Sequence, residues 1–253
     1  MANDITVTII AKNSAATLRE CLQALGGFSE VVLLDTGSTD ETMAIARSFP
    51  NVTVHEHPFA GFGPMKNLAI GKASNDWILS IDSDEILEPG LVQEILNLNL
   101  DPKRIYAIER DNYYRRKLVR CCGWEGDRVT RLFNRKATCY NDSLVHESLL
   151  TGDNLKTTLL QGRMRHYTFN SASELIDKMQ HYSTLWAREH AGKKTSSPLK
   201  ALLRGGFVFF KSYIIQKGFL CGHVGLVISI SNANGAFYKY IKLYESSRNG
   251  TDL

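Results

Sequence analysis

Ser80-Ile81-Asp82-Ser83-Asp84-Glu85 carries two aspartates two residues apart. In an extended segment the side-chain period of two turns both carboxylates the same way. Carboxylates paired on one rim suit a divalent cation that carries phosphates, because Mg²⁺ and Mn²⁺ accept oxygen ligands and keep positions open for substrate. A solvated acidic turn has the same composition, so D-x-D alone decides little. A calcium loop is disfavoured, since the sixth position counted from Asp82 is Leu87 and not the glycine that loop needs. A second group is basic: Arg115-Arg116-Lys117, Arg120, Arg128, Arg131 and Arg135. Few aromatics beyond Tyr113, Tyr114 and Trp124 interleave with these charges, and no nucleic-acid-binding motif is present, so nucleic acid is not the expected partner. His55-x-His57 before Pro58 reads as a loop.

The elements that must hold these residues are legible in the front of the chain. Ile5 to Ala11 is apolar and β-branched, which predicts a strand buried on both faces, and Ser14 is placed to cap a helix with apolar Leu18, Cys21, Leu22 and Leu25. Gly26-Gly27 stops it. Val31 to Leu34 predicts a second strand, and Ser38 with Glu41 has the spacing of a capping box. Asn51 to His55 predicts a third strand, Pro64 to Ile70 a short helix, and Trp77 to Ile81 a fourth strand ending at Asp82. Strands alternating with helices imply an α/β fold with a mostly parallel sheet covered by helices. Ligands in such sheets bind at the carboxyl ends of the strands, so Asn13, Asp35 and Asp82 should meet on one rim.

The 253 residues are 43% hydrophobic and 22% charged, which excludes disordered, collagen-like and disulfide-stapled chains. The net charge of +4 is unevenly spread: −9 over residues 1–102, +7 over 103–136, −1 over 137–189 and +7 over 190–253. An acidic front half and two basic blocks imply an anionic partner. Five cysteines without a C-x-x-C pair predict neither a disulfide framework nor a zinc knuckle, and a reducing cytosol is the simplest compartment. Adjacent Cys121 and Cys122 read as structural, since neighbours bridge only with strain. The N-terminus does not read as a secretory signal. Phe207 to Ile230 is cut by Lys211, Lys217, His223 and glycines, short of the roughly 18–20 apolar residues of a membrane span. From Pro198, residues Leu199, Leu202, Leu203, Phe207, Phe210, Tyr213 and Ile214 keep helical spacing between Lys200, Arg204, Lys211 and Lys217. That composition suits a helix lying in a membrane interface, ordinary packing, or a homo-oligomer contact.

Taken together, TIIAKN, LLDTGSTDET, the Lys66-Asn67 pair and SIDSDE within residues 5–90 resemble the nucleotide-sugar half of family 2 glycosyltransferases with the GT-A fold. CGWEGDRVTRLFNR, LVHESL, RHYT, FKSYIIQKGFLCG and YKYIKLYE extend the resemblance over nearly the whole chain, to bacterial lipopolysaccharide core-biosynthesis transferases of the WaaE/KdtX kind. The resemblance implies three parts: 1–102 as the nucleotide-sugar half, 103–170 as the acceptor and catalytic half of the same domain, and 171–253 as a helical extension. It implies that Asp35 bonds the uracil, that Ala11 and Asn13 line the base, and that Asp82 lies near the ribose. Asp84 would ligate Mg²⁺ or Mn²⁺ on the diphosphate, with His166 completing the metal site and Lys66 near the pyrophosphate. Glu147 falls at the catalytic carboxylate, where the family more often has an E-D pair, and Asp142 is the other candidate base. Val145 and His146 beside Glu147 could tune its protonation. Arg115, Arg116 and Arg120 would meet acceptor phosphates and Trp124 a sugar ring, while Asp127 and Arg131 order their loop.

The implied activity is an inverting, metal-dependent transfer of a hexose, foremost glucose, from a UDP-sugar to an inner-core heptose of lipopolysaccharide. The implied location is the cytoplasmic face of the inner membrane, held peripherally. A polyprenyl phosphate or capsule sugar as acceptor would leave the donor motifs unchanged. A nucleotidyltransferase would show a glycine- and basic-rich loop after the first strand, which Lys12-Asn13-Ser14-Ala15-Ala16 is not. A non-catalytic polyanion-binding protein would have no need of Asp35, Asp82, Asp84 and Glu147 together.

Overall fold

The computed structural model describes residues 4–143, 147–152 and 154–249, with side chains to 247. The front half follows its hydrophobic pattern closely. Strands β1 (Ile5–Ala11), β2 (Glu30–Asp35), β3 (Val52–Glu56) and β4 (Trp77–Asp82) alternate with helices α1 (Ala15–Ala24), α2 (Thr42–Arg47) and α3 (Phe62–Gly71). β1 is buried almost throughout and sits between β2 and β4, which is why ITVTIIA carries no polar side chain larger than threonine. Its parallel register sets Ala11 beside Asp35 on β2 and Ile10 beside Asp82 on β4, so the three carboxyl ends share one rim.

Beyond β4 the sheet changes character. A turn at Ser83-Asp84 leads to β5 (Glu85–Leu87), α4 (Pro89–Leu96), β6 (Arg104–Tyr114), β7 (Lys117–Leu118), β8 (Asp127–Asn134) and β9 (Lys156–Phe169). The nine strands run in the order β3-β2-β1-β4-β8-β6-β9-β5, with β7 hydrogen-bonded to β6. β3, β2, β1 and β4 are parallel, whereas β8 joins β4 and β6 antiparallel and β5 joins β9 antiparallel. The sheet is therefore mixed rather than mostly parallel, because β8 enters antiparallel beside β4 and the strands that follow pair antiparallel in turn.

Two capping expectations fail. Ser38 does not open α2: its hydroxyl donates to Asp35 and accepts from the Asn13 N–H, and α2 starts at Thr42. Ser14 precedes α1 but makes no side-chain cap; Asp40 accepts from the Ala15 N–H at 3.1 Å instead.

The chain forms two compact units, one of Met1–Asp111 with Gly126–His166 and one of Asn112–Glu125 with Tyr167–Leu253. These boundaries differ from the three sequence-based parts, since segment 112–125 belongs with the C-terminal helices. Its Tyr114, Val119 and Cys121 pack with Phe169, Leu175, Val224 and Ile228. Cys121 is also disulfide-bonded to Cys221, a correction to the expectation of unpaired thiols. The partners lie 100 residues apart in sequence, which spacing cannot reveal, and their 6.5 Å Cα separation suits a bridge.

The second unit is otherwise helical. α5 (Ala172–His190) opens on a reciprocal cap between Ser171 and Glu174. α6 (Pro198–Phe210) is capped by Ser197 and continues as a π-helical turn, Lys211–Ile215. A short 3₁₀ turn, Gly218–Cys221, leads into α7 (Gly222–Asn249). No single helix among the described residues is long and apolar enough to cross a membrane. The stretches Pro198–Ile215 and Gly218–Ser247, bent by 66°, would reach that length and composition only as a pair.

Candidate active site

The rim of the parallel strands is organised by short polar contacts within the first unit. Asp35 is buried and accepts from the Gly37 and Ser38 N–H groups at 2.9 Å each and from the Ser38 hydroxyl. Asn13, in a left-handed conformation with φ of 51°, accepts from the Thr39 N–H at 2.8 Å. Asn13, Ser38 and Asp35 are thus one linked set. Ala11 ends β1, and its carbonyl accepts from the Thr36 N–H at 2.9 Å. The Ser14 and Ser83 hydroxyls share a 2.8 Å hydrogen bond, which ties the loop after β1 to the loop after β4.

Asp82 and Asp84 do not form the extended pair expected, because the strand ends at Asp82 and Asp84 occupies the turn. Each meets different partners. Asp82 Oδ1 is 3.1 Å from Lys66 Nζ and its Oδ2 is 2.5 Å from Arg131. Burial raises the Asp82 pKa, but Arg131 and Lys66 pull it down harder, so its carboxyl lies well below the usual carboxylate range. Asp84 Oδ2 faces His166 Nε2 at 3.6 Å, since β5 pairs Glu85 with His166 on β9.

Lys66 is 3% exposed and bridges Asp82 to Glu147, with its Nζ 2.8 Å from Glu147 Oε1 and 5.2 Å from the centre of the Tyr140 ring. Burial disfavours the ammonium, yet Asp82, Tyr140 and Glu147 outweigh it and hold the Lys66 pKa above its ordinary value. Lys66, expected near a pyrophosphate, is a clamp between two carboxylates. Lys66, Asp82, Arg110, Arg131, Tyr140 and Glu147 all line a cavity of about 380 Å³. Asp142 is exposed and outside that lining. Val145 and His146 lie outside the described residues.

Sequence reasoning gave no role to Glu85, Arg110 or Tyr140. Glu85 is fully buried; it accepts from the Asp82 N–H at 3.0 Å and from Arg131 and Arg110 at 2.5 and 3.1 Å. Arg110 also pairs with Asp127 at 2.6 Å. The signal for Glu85 was its place directly after D-x-D. Nothing local marked Arg110 or Tyr140, which arrive from β6 and from the segment after β8. Tyr140 Oη and Arg131 Nε are buried with no hydrogen-bond partner among the described residues, which costs about 1–3 kcal/mol apiece and is the kind of residue found at ligand sites.

Asp84 and His166 are two groups at this rim with donor chemistry that a divalent cation takes. Lys66, Arg110 and Arg131 face Asp82, Glu85, Asp127 and Glu147, so carboxylates outnumber cations before Asp84 is counted. The buried Cys21 thiol nearby is pushed up by burial and then by Glu85, Asp84 and Asp82, a sign of the local negative field. Asp84 Oδ2 and His166 Nε2, 3.6 Å apart, are the atoms that would hold such a cation. No group of three or more His, Cys, Asp or Glu suited to a metal occurs among the described residues.

The expected acceptor residues lie in the second unit. Arg115 and Arg116 form the β6–β7 hairpin tip with φ of 50° and 60°, a conformation that costs non-glycine residues energy, and the Arg116 guanidinium stacks over the Tyr167 ring at 5.4 Å. Arg120 is exposed. Trp124 is half-buried, its ring tilted against Phe169 at 6.1 Å.

The lipopolysaccharide core biosynthesis glycosyltransferase LpsC of Rhizobium meliloti is 26% identical over 95% of this chain and 92% of its own length. An uncharacterized glycosyltransferase of Rickettsia felis is 30% identical over 96% of this chain and 90% of its own. Staphylococcus aureus TarS, solved in complex with UDP, aligns over 98% of this chain and 92% of that one at 14% identity, with a TM-score of 0.47. The glycosyl transferase family 2 model matches residues 6–135, the stretch holding Asn13, Asp35, Lys66, Asp82, Asp84 and Arg131, and the chain belongs to that family.

Proposed function

We propose that this enzyme transfers a hexose, foremost glucose, from a UDP-sugar to an inner-core heptose of lipopolysaccharide, with inversion, at the cytoplasmic face of the inner membrane. The observation that carries the reading is Glu147, held by Lys66 beside Asp82 in the wall of one cavity. The name of the relative LpsC supports the acceptor class.

In this reading Asn13, Asp35 and Ala11 receive the uracil, and Asp82 lies toward the ribose. Asp84 and His166 would hold Mg²⁺ or Mn²⁺, which supplies positive charge to the departing diphosphate. Lys66 fixes Glu147 through Oε1, leaving Oε2 to take the proton from the acceptor hydroxyl. As the acceptor hydroxyl oxygen bonds to the anomeric carbon on the face opposite the diphosphate, the carbon–oxygen bond to UDP breaks and UDP leaves with the electron pair. Arg115, Arg116 and Arg120 bind acceptor phosphates, and Trp124 lies against a sugar.

The test is donor turnover by variants that keep the fold. Glu147→Gln should lower kcat by about 10²–10⁴-fold, the usual contribution of a general base. Asp84→Ala should raise the Mn²⁺ concentration for half-maximal rate by about 10–100-fold, and chelation should abolish transfer reversibly. Near-normal turnover in both variants contradicts the assignment.

A further inference from the structure

α6 is packed inside out for a helix in water. Its buried positions are Ala201 and Gly205, four residues apart, while Leu199, Leu202, Leu203, Phe207 and Phe210 are all more than half exposed. The small inward residues let α7 approach closely, since a Cβ at Gly205 would stand 3.2 Å from Phe237 Cβ and 3.3 Å from the Ala233 carbonyl oxygen. The pattern continues through the bend, where Ser212 and Gly218 are buried and Ile215, Phe219 and Leu220 are exposed, the last at 68%. An exposed apolar surface of this extent marks a contact with another apolar phase.

Charge identifies the phase. No Asp or Glu occurs between Glu189 and Glu245, while Lys193, Lys194, Lys200, Arg204, Lys211 and Lys217 punctuate the same stretch. A second copy of the chain would set these cations against one another. An anionic bilayer answers both features: the apolar side chains enter the acyl boundary and the long basic ones reach headgroup phosphates. We propose that the outward face of α6, with the bend that follows, docks this chain on an anionic membrane surface. The helix lies in the plane of that surface. With its π-helical turn the stretch Pro198–Ile215 rises about 27 Å, just short of the roughly 30 Å hydrocarbon core, and Lys200, Arg204 and Lys211 recur along it where a span would exclude them. This docking deepens the membrane location proposed above and rests on that reading, whereas vesicle binding without substrates is read separately from sugar transfer.

The full chain, with neither donor nor acceptor added, is tested by flotation with vesicles of phosphatidylcholine alone and of equal parts phosphatidylcholine and phosphatidylglycerol. Two double variants accompany it, Leu203→Glu with Phe207→Glu on α6 and Ile215→Glu with Leu220→Glu at the bend; all four positions are exposed, so melting temperatures should stay near the parent value. The expected result is binding at least about tenfold stronger to the anionic vesicles, weakened by salt, reduced at least about tenfold in each variant, and released by an alkaline carbonate wash. Equal binding to neutral vesicles, no binding, or unchanged binding by the variants overturns the proposal. Resistance to the carbonate wash overturns the in-plane placement. A dimer broken by these substitutions without any vesicle binding assigns the face to a second copy and also overturns it.

Discussion

Lys66 carries more of the site than its position on a short helix announces. A lysine among Met65, Asn67 and Leu68 has the composition of a solvated helix face, yet the side chain is buried and holds Asp82 and Glu147 together. Asp82 and Asp84, one motif in sequence, divide into an ion-paired carboxylate and a carboxylate that faces an imidazole. Residue types picked out the candidate groups, while their partners came from strands β8 and β9, remote in sequence. The Asp82 assignment has a pH signature. Its folded pKa is depressed below the unfolded value of about 3.9, so its stabilising contribution is fully present above that value and is lost as pH falls through the folded pKa. Asp82→Asn should cost about 1–3 kcal/mol at neutral pH, less than a fully buried pair because the side chain keeps 37% exposure. The stability difference from the parent should be flat above about pH 5 and should shrink below about pH 4, which urea unfolding across pH 3–7 will measure. A difference that grows in acid contradicts the ion-pair account.

At the scale of elements, the first four strands were legible because apolar β-branched runs in a parallel sheet leave little choice of conformation, and their observed ends fall within one or two residues of the pattern. The helix starts were not, because Ser14 and Ser38 spend their hydroxyls on Ser83 and on Asp35, contacts that local spacing cannot foresee. The break after Phe210 was equally hidden, since the apolar spacing runs on to Ile214 through a π-helical turn. α3 connects these local matters to the site. A Cβ on Gly63 would lie 1.9 Å from the Asn141 carbonyl oxygen, and the Gly63 N–H donates to the Ser143 carbonyl at 3.1 Å. The first turn of α3 is thereby seated against the segment that leads to Glu147, while Lys66 on the same helix holds the Glu147 side chain. Gly63→Ala should displace that segment. The expected cost is about 1–3 kcal/mol of stability, with a fall in kcat larger than the fall in donor affinity, measured by steady-state kinetics beside thermal melts. Unchanged kcat in a destabilised protein contradicts the link between α3 and the base.

For the whole molecule, the folded arrangement alters what the charge distribution means. The +7 of residues 103–136 faced the −9 of the front half as though the two served different partners, but Arg110, Arg131, Arg135 and Lys136 neutralise Asp82, Glu85 and Asp76 within one unit. Arg115, Arg116 and Arg120, in the other unit, are exposed and fit an anionic acceptor. The central claim is transfer from a UDP-sugar to a phosphorylated core acceptor by the cluster around Glu147. UDP release should therefore be measured with a panel of UDP-sugars and Mn²⁺, with and without heptose-bearing truncated lipopolysaccharide. The account predicts release from one donor, dependent on that acceptor and lost in Glu147→Gln; release indifferent to the acceptor, or retained at the parent rate in Glu147→Gln, would contradict it.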